Sequence, residues 1–163
     1  MQICLLEAEK RTQDMIRIIG RGAPHGKGGT SLPTSAAVGR VIGELEAPET
    51  ESKFLKRIKK IFEVECLRHN KLTGREIQTV ALCGGAGAFL MPLAIRNRAD
   101  VFITGEIKYH DYFGHESDIL LAEIGHYESE QYTKEIFYTI IRDLFPNFAV
   151  QLTKVNTNPI KYM

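Results

Sequence analysis

Three apolar runs, each ending in glycine and followed by polar residues of helical or turn character, constrain this chain most. They are Ile77–Cys83 before Gly84, Val101–Ile103 before Gly105, and Ile119–Ile124 before Gly125. Runs this short, apolar on both faces and rich in β-branched residues, read as buried strands. From Gly39 onward strands and helices alternate, which predicts an α/β fold with a largely parallel or mixed sheet. Other expected elements are a strand Val41–Leu45, a helix from about Glu51 to Phe62, and a helix after the glycine loop running to about Arg98. A short helix is expected within 106–118, a long helix from His126, and a last strand Phe148–Leu152. Residues 1–20 are ambiguous, with a possible strand Ile3–Leu6 and helix Thr12–Ile19, and Arg21–Ser35 reads as a flexible loop carrying a lone His25.

In an α/β sheet the ends of parallel strands line the ligand crevice. If the three strands are parallel neighbours, their junctions share one edge. The third junction carries His126 and, at i+4, Glu130. Residues so spaced lie on one side of a helix and can hold one metal ion together. On one continuous helix at about 100° per residue, Leu144 shares the angle of His126, and Phe137 and Ile141 flank Glu130. This phase predicts an inward-facing His126–Glu130 pair, with Glu128 pointing away or sideways. An inward carboxylate needs a partner, which a metal, a histidine hydrogen bond or a lysine can supply.

The first junction, with Gly84, Gly85 and Gly87, lacks a Walker lysine and matches the dinucleotide fingerprint only in part. Its amides can hold a phosphate or carboxylate, or its glycines can serve a tight turn that packs helix on strand. The second junction gathers Lys108, Tyr109, His110 and Asp111. His110 titrates in the right range for acid–base work, and such a cluster is also an ordinary polar surface turn.

Net charge at pH 7 is +1, which leaves no bulk pull toward nucleic acid or membrane. Lys53, Lys56, Arg57, Lys59 and Lys60 form a basic helix face that a solvated surface explains better than nucleic acid does. Cys4, Cys66 and Cys83 are scattered, without a zinc or disulfide spacing, and point to a reducing compartment. The longest uncharged run, Ile77–Ile95, is interrupted by glycines and Pro92 and reads as strand, turn and helix. A soluble, cytoplasmic protein is expected.

Five stretches occur in order: Val41–Leu45, Val80–Gly87, Phe102–Asp111, Gly125–Glu130 and Val155–Pro159. Together they resemble the C-terminal half of the NIF-three-like family of dinuclear-metal proteins, whose members are often labelled GTP cyclohydrolase type-two homologues. The resemblance runs from Gly39 to Met163. It divides the chain into residues 1–37, matched to nothing, and an α/β domain over 38–163. It implies one half of a three-layer α/β/α fold, and a homo-oligomer, hexameric in the family. It also implies a divalent transition metal (zinc, manganese or iron) held in part by His126 and Glu130. The family's other ligands, a His-His pair and an aspartate, come from an N-terminal half, and this chain has no His-His pair. The chain therefore reads as a C-terminal fragment with an incomplete site. The implied activity is metal-dependent hydrolysis of a nucleotide-like small molecule, with Lys108 and His110 relaying protons or binding anionic substrate. Glu106 stands where the family usually has aspartate. The alternative is an interaction or scaffold protein with a vestigial metal pocket.

Overall fold

The computed structural model describes residues 41–163, so the expectations for residues 1–40 lie outside the described residues. Five strands form one sheet in the order β1-β3-β4-β5-β2. They are β1 (Val41–Thr50), β2 (Arg68–His69), β3 (Glu76–Cys83), β4 (Val101–Thr104) and β5 (Leu120–Glu123). The three apolar runs are the three central strands, mutually parallel and in register, with Cys83 beside Thr104 and Thr104 beside Glu123. Both edge strands are antiparallel to their neighbours, so the sheet is mixed.

Side chains alternate across this sheet, and both faces are covered. Val80, Leu82, Val101, Ile103 and Leu120 point into one core with Phe54 and Ile58 of helix α1 (Glu51–Ile61). Ala81, Phe102, Ile119 and Leu121 point into the other, against Met91 and Ala94 of α2 (Met91–Arg96). This is the expected three-layer α/β/α arrangement. The basic residues of α1 lie on its outer side, and Glu49 pairs with Lys53 at 3.6 Å and with Arg57.

Besides the unexpected two-residue β2, the described residues differ from expectation at four places. The β1 strand runs past Leu45 to Thr50, with a bulge between Glu44 and Glu49 that takes up Pro48, a residue tolerated at a sheet edge. The helix after the glycine loop is a 3-10 turn, Ala88–Leu90, followed by the short α2. Phe148–Leu152 is no strand: residues 145–163 carry no regular element and pair with no strand edge. A β-rich composition makes a strand only where a ladder partner is within reach, and the second edge is taken by the two-residue β2. Asn70 extends that edge, its side chain bonding Ile119 O and Leu121 N at 2.9 Å each.

The fourth difference changes the site. The long helix breaks into α3 (His126–Glu130) and α4 (Thr133–Leu144). The phase drawn from Leu144 back to His126 is therefore lost. Phe137, Ile140 and Leu144 are exposed in this chain, and Glu128, expected outside, is buried.

One polar network behind the sheet gives a pH prediction. The Glu123 carboxylate accepts a hydrogen bond from the Tyr112 hydroxyl at 2.8 Å and pairs with Arg68. Burial, then the hydrogen bond to Glu123 and its charge, push the Tyr112 phenol well above its ordinary value of about 10. A raised folded value stabilises the fold fully below the unfolded value and loses that contribution as pH climbs toward the folded one. Phenolate absorbance is thus expected to show a phase that appears only as the chain unfolds in base and that is lost in Tyr112→Phe. Tyr112 ionising near its ordinary value of ~10 in the folded chain would contradict it.

Candidate functional site

The parallel register brings the ends of β3, β4 and β5 to one edge, where the three junctions meet. Their meeting point is a main-chain atom. The Gly85 carbonyl accepts from the Gly87, Gly105 and Glu106 amides at 3.0, 3.0 and 3.1 Å, and from the Thr104 hydroxyl at 3.1 Å. The Gly85 amide donates to Ser129 Oγ at 2.9 Å, and that hydroxyl donates to the His126 carbonyl at 2.8 Å. The glycine loop is thereby tied to both other junctions.

Glycine is required at two of these points. Gly85 has φ +63°, and a Cβ there would sit 2.6 Å from Glu130 Oε1. A Cβ on Gly105 would sit 2.7 Å from the Gly85 carbonyl oxygen. The Gly85 and Gly87 amides are both spent inside the protein, the latter on Gly85 O and on Thr104 Oγ1 at 3.0 Å. This arrangement favours the tight-turn reading of the loop over anion capture.

The loop holds His126 and Glu130 in place. Both are part-exposed, with side-chain accessibilities of 44% and 36%, so the expected inward-facing pair stands at the sheet edge instead. His126 Nδ1 lies 2.8 Å from Glu106 Oε1, and Nε2 lies 3.2 Å from Glu130 Oε2. Carboxylates only accept, so both ring nitrogens donate when the imidazole is protonated, and in the neutral ring the shorter contact favours the proton on Nδ1, which donates to Glu106. Partial burial lowers the imidazole's proton affinity, but the Glu106 hydrogen bond and the charges of Glu130 and Glu106 outweigh it, and the result is raised. Burial, with the Glu130 charge added, pushes the Cys83 thiol up, so it is held protonated and inert.

In the neutral ring Nε2 and the Glu130 carboxylate are two acceptors facing one another. Such a pair is relieved by a proton or by a cation. The nitrogen and oxygen donors suit a divalent transition metal, and the missing Cβ of Gly85 leaves Glu130 its room. Nδ1 anchored on a carboxylate is the usual support of a metal-binding histidine. The donors thus fit in kind, but they number two. Among the described residues no group of three or more His, Cys, Asp or Glu is placed to hold a metal.

Two cavities flank this pair. One of about 500 Å³ borders His126 and Glu130, and the other, of about 470 Å³, borders Glu106 and Lys108. Lys108 thus lies beside the site. His110 sits on the exposed 3-10 turn Tyr109–Tyr112, edge-on to the Tyr109 ring, and borders neither cavity. Sequence reasoning did not single out Thr104 or Ser129, and it missed Glu106 as the partner of His126. The one available signal was position, since Thr104 and Glu106 flank the glycine that ends β4.

The comparisons with known proteins agree with this architecture. A profile of the family described as Duf34/NIF3 (NGG1p interacting factor 3) matches residues 7–159, starting upstream of Gly39. A GTP cyclohydrolase 1 type 2 homolog of Staphylococcus aureus is 30% identical over 128 residues, which are 76% of this chain and 35% of that protein. One from Staphylococcus epidermidis is 32% identical over 127 residues, 75% of this chain and 34% of the other. The chain therefore spans roughly a third of the length of these curated relatives. A crystal structure of a Staphylococcus aureus hypothetical protein superposes with a TM-score of 0.68 at 29% identity, over 76% of this chain and 43% of that one. A Bacillus cereus protein related to NIF3 shares the fold, with a TM-score of 0.63 at 22% identity over 75% of this chain and 35% of its own. No helix among the described residues is long and apolar enough to cross a membrane. With 7–159 of its 163 residues matched, the chain belongs to the Duf34/NIF3 family.

Proposed function

We propose that this chain supplies part of a divalent-metal site in a metal-dependent hydrolase. The observation that carries the reading is His126 Nε2 facing Glu130 Oε2 at 3.2 Å while Nδ1 is anchored on Glu106. His126 and Glu130 would hold zinc, manganese or iron. Such a metal, when bound, supplies a Lewis acid and a source of hydroxide near neutral pH. Glu106 orients the imidazole so that Nε2 is the free nitrogen. Lys108, beside Glu106, is placed to meet an anionic substrate or pass a proton, whereas His110 points elsewhere in this conformation.

Two protein ligands fall short of the three or more that a tight site uses. The remainder would come from a second chain or segment. The exposed apolar side chains of α4 and its continuation, Phe137, Ile140, Leu144, Phe145 and Phe148, suit a protein that associates, because apolar surface of that extent drives assembly. The scaffold reading has less to rest on, since Glu49 already neutralises part of the basic face of α1.

The test is manganese or zinc uptake by the purified chain, read by elemental analysis on material whose mass is measured by light scattering. The expected result is an oligomer that retains one weakly held metal per chain. A clean monomer at micromolar concentration would refute the association. Absence of any metal after incubation with zinc and manganese would refute the metal reading.

A further inference from the structure

The cavity of about 500 Å³ beside His126 and Glu130 has a wall that none of the preceding roles uses. That wall is the C-terminal segment 150–163, through Thr153, Val155, Thr157 and Ile160. The segment has no regular element and joins no strand edge, so no backbone ladder holds it. Leu152, Val155 and Ile160 are exposed, so apolar burial holds it little. Its other hydrogen bonds are local. Asn156 Oδ1 accepts from the Asn158 amide at 2.8 Å, Asn158 Oδ1 from the Ile160 amide at 3.0 Å, and the Asn158 carbonyl from Lys161 Nζ at 3.1 Å. These bonds shape a turn around Asn158 without reaching the body. Segments of this kind open at the least cost in a fold, and elements that gate a site are drawn from them.

The tie to the body is a side-chain bond. Asn158 Nδ2 donates to Glu128 Oε1 at 3.0 Å. Its two ends differ in firmness. Glu128 is 6% exposed and fills the space that Gly125 leaves, since a Cβ on Gly125 would meet Glu128 Oε2 at 2.1 Å. Packing therefore fixes the acceptor, whereas Asn158 is half-buried on a segment that is exposed on both sides of it. Glu128 Oε2 has no hydrogen-bond partner among the described residues, so Asn158 supplies the donor of this buried carboxylate. A bond to a charged acceptor is stronger than a neutral one, and a buried carboxylate without a donor is costly. When the segment lifts, water reaches the carboxylate from the side that the segment had covered. Deleting the Asn158 amide therefore penalises the docked state and spares the open one.

We propose that residues 150–163 are a strap over the His126–Glu130 edge, closed by a Glu128–Asn158 clasp, and that releasing the clasp opens the cavity on that side. Glu128 stands two residues from each of His126 and Glu130, so it faces away from both. The α3 helix thus presents one face to the cavity and the other to the strap. The clasp uses neither His126 nor Glu130, and it holds whether or not a metal is bound.

The experiment is trypsin cleavage after Lys154, followed by mass spectrometry on the full chain, in wild type, Asn158→Ala, Glu128→Ala and the double variant. The urea midpoint is recorded for each. A protease needs several consecutive residues free of the body, so the cleavage rate follows the lifted population. Asn158→Ala is expected to raise that rate by about tenfold or more with the urea midpoint unchanged. The double variant is expected to be cleaved no faster than the faster single variant, because both substitutions remove one bond. Should Glu128→Ala fail to fold, Glu128→Gln takes its place. It keeps the acceptor and loses the charge, so its rate is expected between those of wild type and Asn158→Ala. Wild-type cleavage in Asn158→Ala or Glu128→Gln, or single effects that multiply in the double variant, would overturn the clasp. A urea midpoint that falls in step with faster cleavage would also overturn it, because the segment would then open only with the whole body.

Discussion

Replacing His126 with alanine is expected to lower divalent-metal affinity by about a hundredfold or more, leaving no binding measurable by calorimetry. Among the described residues His126 is one of two protein ligands in reach, and losing even a supporting partner of a metal histidine costs ~10–100-fold. Glu106→Gln should fall in that smaller range, since it removes the acceptor that orients Nδ1 and leaves both ligands present. Glu130→Gln should weaken binding more than Glu106→Gln does. It should not stabilise the apo protein, because Glu130 is part-exposed and so sheds no buried charge. Acid should compete with the metal. The His126 value is raised, so its protonated form stabilises the apo fold below about pH 6.5 and loses that contribution as pH rises through the raised value. Metal capture follows the opposite course and should strengthen as pH climbs above ~6.5. Equal metal affinity in wild type and His126→Ala would refute the site.

Gly105→Ala should be strongly damaging at the sheet edge. The added Cβ would lie 2.7 Å from the Gly85 carbonyl oxygen and from Ser129 Oγ, and 3.1 Å from Gly85 Cα. The obstacle is largely backbone, so no rotamer change clears it, and one of the two loops must move. Overpacking of this kind costs about 1–3 kcal/mol. Loss of the bonds to the Gly85 carbonyl should bring the total to roughly 3–4 kcal/mol. Urea unfolding would measure it. A loss under ~0.5 kcal/mol would mean that the junctions are looser than described. Metal affinity should fall in the same variant, because Ser129 and α3 are tied to the displaced loop.

The parts of the fold legible in the sequence were those written in consecutive residues. Ile77–Cys83, Val101–Ile103 and Ile119–Ile124 were short, largely apolar and closed by glycine, and they are the parallel centre of the sheet. The pairing of His126 with Glu130 followed from spacing alone. The inward phase of that pair did not hold, because the helix is interrupted at Gln131 and Tyr132, where neither proline nor glycine marks a break. Phe148–Leu152 had the composition of a strand but no neighbour to pair with, and pairing is a property of the whole sheet. Glu106 lies 20 residues from His126 in sequence, so only the register of β4 against β5 brings them together. Burial of Glu128 is likewise decided by Asn158, 30 residues away.

The convergence of donors on the Gly85 carbonyl has a consequence for how this edge tolerates change. A carbonyl oxygen belongs to no side chain, so no point substitution can delete it, and the glycines around it cannot be trimmed further. Random variation can therefore reach the frame in only two ways. It can add bulk at Gly85, Gly87 or Gly105, which forces atoms apart, or it can alter the hydroxyls of Thr104 and Ser129. Most changes at these junctions should then be either ruinous or silent. Gradual tuning of the His126 and Glu130 geometry is left to Thr104 and Ser129, where a serine, cysteine or alanine exchange shifts the frame by a fraction of an ångström instead of breaking it.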